Sequence, residues 1–357
     1  GPATPAATTV AMDFYHKPLP EIPLPNDVAT RYDATSATGR RINASLVAPT
    51  EFEKKARASI DGLDGWGTYA PITIPFTAPI DVYSVRDRHC TYEPRLPSPA
   101  GFEEPDEGAE VCVFDPDQSD DAVYLVNVDR DSDEFGRVHH LDVGHGNYPI
   151  ILEDLDAYWD NDPRDWLLSV FMDEEDEDLN GDGILQPEED TDSDGVLDVP
   201  NYFPGMNPPR DDLKARADAL MSFYDRETRT LVVRPMMPLR ERTTYAVLVT
   251  RRILDEGGEP VGSPFRIINH ESQTADLKPL LDVMPEGLAV PDIAFAFTFS
   301  TQTIESGWKA LRDGLYGHGV QAHLAERFPA EIATLEPVRD AGYFDGMTRP
   351  TILPNEH

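Results

Sequence analysis

"TTYAVLVTRRIL" (residues 243–254) and "IAFAFTFSTQ" (293–302) decide the fold. In the second stretch Phe295, Phe297 and Phe299 form one wall and Ala294, Ala296 and Thr298 the other, the period of two of an extended strand. "PITIPFTAPIDVYSV" (71–85), "DAVYLVNVD" (121–129) and "TLVVRP" (230–235) follow the same rule, with Ile72, Ile74 and Phe76 on one face. Prolines (33) and glycines (24) cut the chain into many such short pieces. Short alternating strands with turn signals between them predict a mainly β fold, an antiparallel β-sandwich.

Helical signals are fewer. "DPRDWLLSVFMDEE" (162–175) carries Asp162 as a cap, Pro163 at the first helical position and an apolar stripe of Trp166, Leu167, Val170 and Phe171. "QTADLKPLLDVM" (273–284) is a second candidate, interrupted by Pro279. A third runs from about Thr303 through "ESGWKALRDGLYG" and "VQAHLAERFP".

The 357 residues suffice for one large domain or two modest ones, and 40% apolar content supplies a core. Acids outnumber bases 66 to 30, a net charge of −36, which excludes the basic footprint of a nucleic-acid or anionic-membrane binder. Cations are the expected partners, although salt adaptation produces the same acidity. No apolar run approaches the roughly 20 residues that span a bilayer, so no transmembrane segment is expected. Gly1-Pro2 reads as a protease-cleavage scar and the following "ATPAATTVAM" as a tether, from which an export signal is expected to have been removed.

Cys90 and Cys112 end two expected strands, "DVYSVRDRHC" and "AEVCVFD", around the loop "EPRLPSPAGFEEPDEG". A disulfide closing that loop is expected, with two buried free thiols as the alternative. Acids flank both cysteines, a poor setting for a nucleophilic thiolate.

"DLNGDGILQPEEDTDSDG" (178–195) carries the densest chemistry. Calcium takes six to eight oxygens, and a twelve-residue EF-hand loop supplies them from positions 1, 3, 5, 7, 9 and 12 with glycine at 6. Counting from Asp178, those positions hold Asp178, Asn180, Asp182, the Ile184 carbonyl, Gln186 and Glu189, with Gly183 at the turn. The pattern restarts with Asp190, Asp192, Asp194, Gly195, the Val196 carbonyl and Asp198, but Asn201 stands where the last glutamate belongs. This second copy resembles the acidic repeats of thrombospondin type 3. Acids at 173–178 also crowd the C-terminal end of the expected helix, where the macrodipole is already negative and a cation gives relief. A solvated acidic loop is the alternative.

Three weaker constellations remain. "HHLDVGHG" offers His139, His140, Asp142 and His145 to a zinc ion, but adjacent histidines in a strand point to opposite faces. Asp129, Asp131 and Asp133 in "DRDSDEFG" offer a further calcium loop, against a charged hairpin tip. Trp66, Trp159 and Trp308 are candidates for a carbohydrate or peptide surface, against ordinary core positions. The chain contains no G-x-S-x-G nucleophile elbow, Walker loop or dinucleotide fingerprint.

"IPLPND" (22–27), "ASIDGLDGWGTYAPITIPFTAPID" (58–81), "LVVRPMMPLRERTTYAVLVTRRILDEGGEPV" (231–261) and "FTFSTQT" (297–303) together resemble the N-terminal domain of bacterial virulence-factor lipases and related secreted hydrolases. The resemblance implies an Ig-like β-sandwich ahead of an α/β-hydrolase domain, on an extracellular or outer-surface lipoprotein. It carries no catalytic residue onto this chain. The expected organisation is a scar and tether over 1–18, the sandwich over 19–302 with a calcium-loop insertion at 153–210, and a helical segment over 303–357 leading toward a hydrolase. The expected function is a calcium-stabilised, non-catalytic module supporting a lipase- or esterase-like hydrolase. The rivals are a stand-alone surface protein that binds a polymer or protein, and a metal-dependent hydrolase using His139, His140 and His145.

Overall fold

The computed structural model describes residues 8–16, 20–48, 50–94, 110–143, 176–180, 182–191, 195, 197–209, 215–216 and 219–328. The expected helix at 162–175, Trp159 and His145 lie outside them. The chain divides into two units, Gly1–Thr303 and Ile304–His357.

The first unit is β-rich, and every pairing between its described strands is antiparallel. Its strands are β1 (Thr30–Tyr32), β2 (Arg40–Ile42), β3 (Ile72–Pro75), β4 (Cys90–Pro94), β5 (Glu110–Phe114) and β6 (Val123–Asn127). Then follow β7 (Val138–His139), β8 (Leu141–Asp142), β9 (Tyr224–Asp225), β10 (Thr230–Pro235), β11 (Thr244–Thr250) and β12 (Ile293–Ser300). One four-stranded sheet runs β12-β11-β6-β7, another runs β3-β10-β8 with β9 added beside β10, and β1-β2 and β4-β5 are two-stranded ribbons.

The two larger sheets share one core. Ile72, Ile74, Leu231 and Val233 from one meet Leu125, Val247, Phe295 and Phe297 from the other, all fully buried. β10 keeps its alternation of buried and half-buried residues, whereas β12 is buried along its whole length. The reason is a second cluster on the opposite face: Tyr124, Val126, Ala246, Leu248 and Ala296 are covered by Leu277, Leu280 and Leu288. A sheet covered on both faces needs apolar residues at every position, and this explains the unbroken "YAVLV" and "IAFAF" runs. Ala294 departs from its expected wall and joins the Phe295 side. The register slips between Val249, opposite Phe295, and Thr250, opposite Ile293, so Ala294 is the extra residue of a β-bulge.

Several elements differ from expectation. "DVYSVRDRHC" is not one strand: Tyr83–Arg86 is a single helical turn (α1), and β4 starts only at Cys90. The Asp81 carboxylate accepts from Tyr83 N at 3.1 Å and its carbonyl from the Ser84 hydroxyl at 2.6 Å, which turns the chain and brings Val82 and Val85 inward together. Residues 8–13, expected as tether, pair with the body of the unit: Val10 is fully buried and bridges to Phe76, and Ala11 N donates to Pro75 O. Glu51–Ile60 is an additional helix, capped by the Thr50 hydroxyl accepting from Glu53 N at 3.1 Å. "QTADLKPLLDVM" forms only 3-10 turns at Glu271–Gln273 and Lys278–Asp282.

The second unit begins with the helix Glu305–Leu315, followed by a 3-10 turn at Gly319–Gln321 and a helical turn at Leu324–Arg327. Trp308 on the first helix is 70% exposed.

Candidate functional site

The acidic loop is built from turns that its own side chains close. Asp178 Oδ1 accepts from Asp182 N at 2.9 Å and Oδ2 from Gly183 N at 3.0 Å; Asn180 Oδ1 accepts from Asp182 N at 2.8 Å; Asp182 Oδ1 accepts from Ile184 N at 2.9 Å. Gly183 takes φ +71°, a conformation that a side chain resists, and this permits the reversal at position 6. Glu189 is 5% exposed and its Oε2 accepts from Gln186 N at 3.3 Å.

The Gln186 amide reaches back across this loop. Its nitrogen donates to both Asp182 carboxylate oxygens, at 3.2 and 3.1 Å, and to Ile184 O at 2.8 Å, while its oxygen accepts from Asn180 Nδ2 at 2.6 Å. Three oxygens of the expected ligand set therefore converge on one point that a positively polarised N–H occupies. Among the described residues no three or more His, Cys, Asp or Glu side chains converge as a metal site. Asp178, Asn180, Asp182, Ile184 O, Gln186 and Glu189 carry the oxygen donors that a hard cation takes, of which Asp182 and Ile184 O meet at one point.

The second loop is described in part. One carboxylate oxygen of Asp190 is buried with no hydrogen-bond partner. Gly195 takes φ +79°, while Asp192, Asp194 and Val196 lie outside the described residues. Glu177, one residue ahead of the first loop position, ties the two loops together. It is fully buried, and its Oε1 accepts from Thr191 N and the Thr191 hydroxyl at 2.6 and 2.8 Å. Its Oε2 accepts from Asp198 N at 3.2 Å, and its own N donates to Asp198 O at 2.9 Å. The exit of the segment is fixed to the sheet by Asn201, whose amide nitrogen donates to Met221 O and Tyr224 O at 2.8 and 2.7 Å. Phe203 stacks on Tyr83, with the Arg86 guanidinium 5.0 Å from its ring.

The histidines are divided between aromatic partners. His139 packs edge-on to Tyr245 at 5.4 Å and His140 edge-on to Phe114 at 4.9 Å. Burial pushes His139 down to about 4 and lowers His140 as well, so both imidazoles are neutral at pH 7. Asp142 is buried on β8. Asp129 and Asp131 occupy a turn between β6 and β7 in which Asn127 Oδ1 accepts from Asp129 N, and Asp129 Oδ1 from Asp131 N, both at 3.0 Å. Glu134 in that turn is paired with Arg137 and Arg240.

Cys90 and Cys112 are joined in a disulfide across β4 and β5. Beside it, His89 and Asp121 form a buried pair, 4% and 5% exposed, with Nδ1 and Oδ1 3.4 Å apart. His89 Nε2 accepts from Ala122 N and Val123 N at 3.2 and 3.3 Å, an arrangement that requires the neutral ring with its proton on Nδ1. Burial, reinforced by Asp120 and Asp115, pushes the Asp121 carboxyl up to about 8. Nothing in the local sequence "DPDQSDD" distinguishes Asp121 from its exposed neighbours; the signal is tertiary.

No protein-family model, curated protein or solved structure matches this chain.

Proposed function

We propose that the chain is a calcium-stabilised, non-catalytic extracellular module with an Ig-like β-sandwich fold, the N-terminal part of a secreted or surface lipase- or esterase-like hydrolase of a bacterium. The observation that carries the calcium reading is the 178–189 loop, in which the Asp182 carboxylate and the Ile184 carbonyl, two ligands of an EF-hand spacing, converge on one point next to Gly183 at positive φ. Glu177 gives the loops a structural role, because its buried carboxylate couples their order to each other and Asn201 couples them to the sheet. Two antiparallel sheets on one core support the sandwich reading. A disulfide suits an oxidising compartment outside the cytosol. The segments that resemble lipase N-terminal domains carry the link to a hydrolase.

Calcium titration by calorimetry on chelator-stripped protein tests the reading, together with thermal melts in calcium and in chelator. A saturable heat and a raised melting temperature, both lost in Asp182→Ala and Glu189→Ala, are expected. Coincident melts with no heat sink the calcium reading and leave the loop a solvated acidic turn.

A further inference from the structure

The helix Glu305–Leu315 of the second unit carries an exposed apolar stripe. Ile304 at its N-cap and Trp308, Leu311 and Leu315 along it recur at steps of four, three and four residues, the d-a-d-a spacing of a coiled-coil seam. Trp308 is 70% exposed, Leu311 and Leu315 40% each and Ile304 38%. A helix of 11 residues is marginal in water unless an apolar face is packed, so this seam gains from a cover.

The two flanks of the seam differ. With Trp308 and Leu315 at a, the e positions hold Glu305 and Arg312, opposite in charge and both exposed. Glu305 pairs with Lys309 one turn along its own helix at 2.5 Å, and Arg312 with Asp313 at 2.8 Å. The g positions hold Gly307 and Gly314. Gly314 lies against the 3-10 turn Gly319–Gln321 of its own unit, where a Cβ would meet Gln321 Cβ and O at 2.5 Å, whereas a Cβ on Gly307 would meet nothing within 4 Å.

We propose that this seam docks, antiparallel, on the same seam of a second copy of the chain. In a parallel pair each e position faces a g position of the other helix, and glycine there answers neither Glu305 nor Arg312. In the antiparallel pair e faces e and g faces g. Ile304 then meets Leu315 of the second copy and Trp308 meets its Leu311, while Glu305 comes beside Arg312 twice over by symmetry. On the other flank the bare Gly307 leaves room for the 3-10 turn that the second copy carries beside Gly314. Local charge permits the approach: residues 304–328 balance Glu305, Asp313 and Glu326 with Lys309, Arg312 and Arg327, in a chain at −36. Four apolar side chains from each copy fall short of a permanent interface, so the dimer depends on concentration. The contact is independent of calcium binding at 178–198.

Sedimentation velocity on the full chain across micromolar to near-millimolar concentrations tests it, in about 0.15 M salt so that repulsion between the acidic copies is screened beyond roughly 8 Å. A monomer–dimer equilibrium is expected. Trp308→Ala removes an exposed side chain, so it leaves a monomer whose melting temperature stays within the scatter of the parent. Glu305→Arg and Arg312→Glu each set like charges across the seam and weaken the dimer about tenfold or more. The double variant carrying both swaps recovers it. Each swap is unfavourable at its own end of the helix, so fraying alone makes the double variant the weakest of the three, the opposite order. A monomer at every concentration overturns the proposal, whatever else then covers the stripe. A dimer that ignores Trp308→Ala, or a double variant weaker than both single ones, overturns it equally.

Discussion

Replacing Asp121 by asparagine makes the protein more stable, and only above the pH at which a free aspartate ionises. In the fold the carboxyl is 5% exposed and its pKa rises from the ordinary 3.8 to about 8, chiefly because burial penalises the charged form. Between these values the unfolded chain carries Asp121 ionised while the native state keeps the proton. Stability therefore falls as pH rises through that window and levels off above 8. Each tenfold change in the dissociation constant is worth about 1.4 kcal/mol, so the full cost at pH 9 is on the order of 5 kcal/mol. Asparagine keeps the shape and the oxygen that faces His89 Nδ1, and it has nothing to ionise. Melts of the two proteins from pH 4 to 9 should coincide at the acid end and separate toward the alkaline end, reaching on the order of 10 °C for a unit of this size. Superimposable curves across the range refute the argument, because they mean that the native carboxylate is already ionised and compensated.

Four further outcomes are expected. Phe297→Ala, fully buried between the sheets, costs about 3–5 kcal/mol in chemical denaturation; a loss below 1 kcal/mol means that the shared core is looser than described. Gly65→Ala sets a methyl 2.7 Å from Gln302 N and Thr301 C and 2.8 Å from Ser300 O, all backbone, and loses about 1–3 kcal/mol where a surface glycine loses far less. Cys90→Ser opens a crosslink with a sequence separation of 22 and costs about 3 kcal/mol, and a reductant lowers the parent by the same amount but leaves the variant unmoved. At free calcium about a hundredfold above its dissociation constant the parent gains about 2.7 kcal/mol over its chelated form, and Asp182→Ala gains nothing.

The parts of the fold legible in the sequence are those where local pattern and tertiary burial agree. β10 alternates because only one of its faces is fully packed, β11 and β12 run apolar because both are, and the 178–189 loop is readable because turn geometry fixes its spacing residue by residue. The helix Glu51–Ile60 escaped because its short apolar row, Phe52, Ala56 and Ile60, stays exposed and packs into no core. Its order comes from the Thr50 cap, the Glu53–Arg57 pair and the Arg57 guanidinium reaching the Ser45 and Val47 carbonyls, all polar devices invisible to a search for hydrophobic period. "DVYSV" misleads in the opposite sense: Ile80 and Val82 imitate a strand, and only the Asp81 hydrogen bonds turn the chain. Glu177 and Asp121 show the limit of composition most clearly. Each stands in a run of acids that reads as solvated surface, and each is buried, one satisfied by backbone amides and the other beside a neutral histidine. A carboxylate's role depends on which donors the folded chain brings to it, and those donors lie up to 21 residues from Glu177 and 32 from Asp121. In this acidic chain the count of acids therefore does not pick out the carboxylates that hold loops in place; burial and the donors around the buried few do.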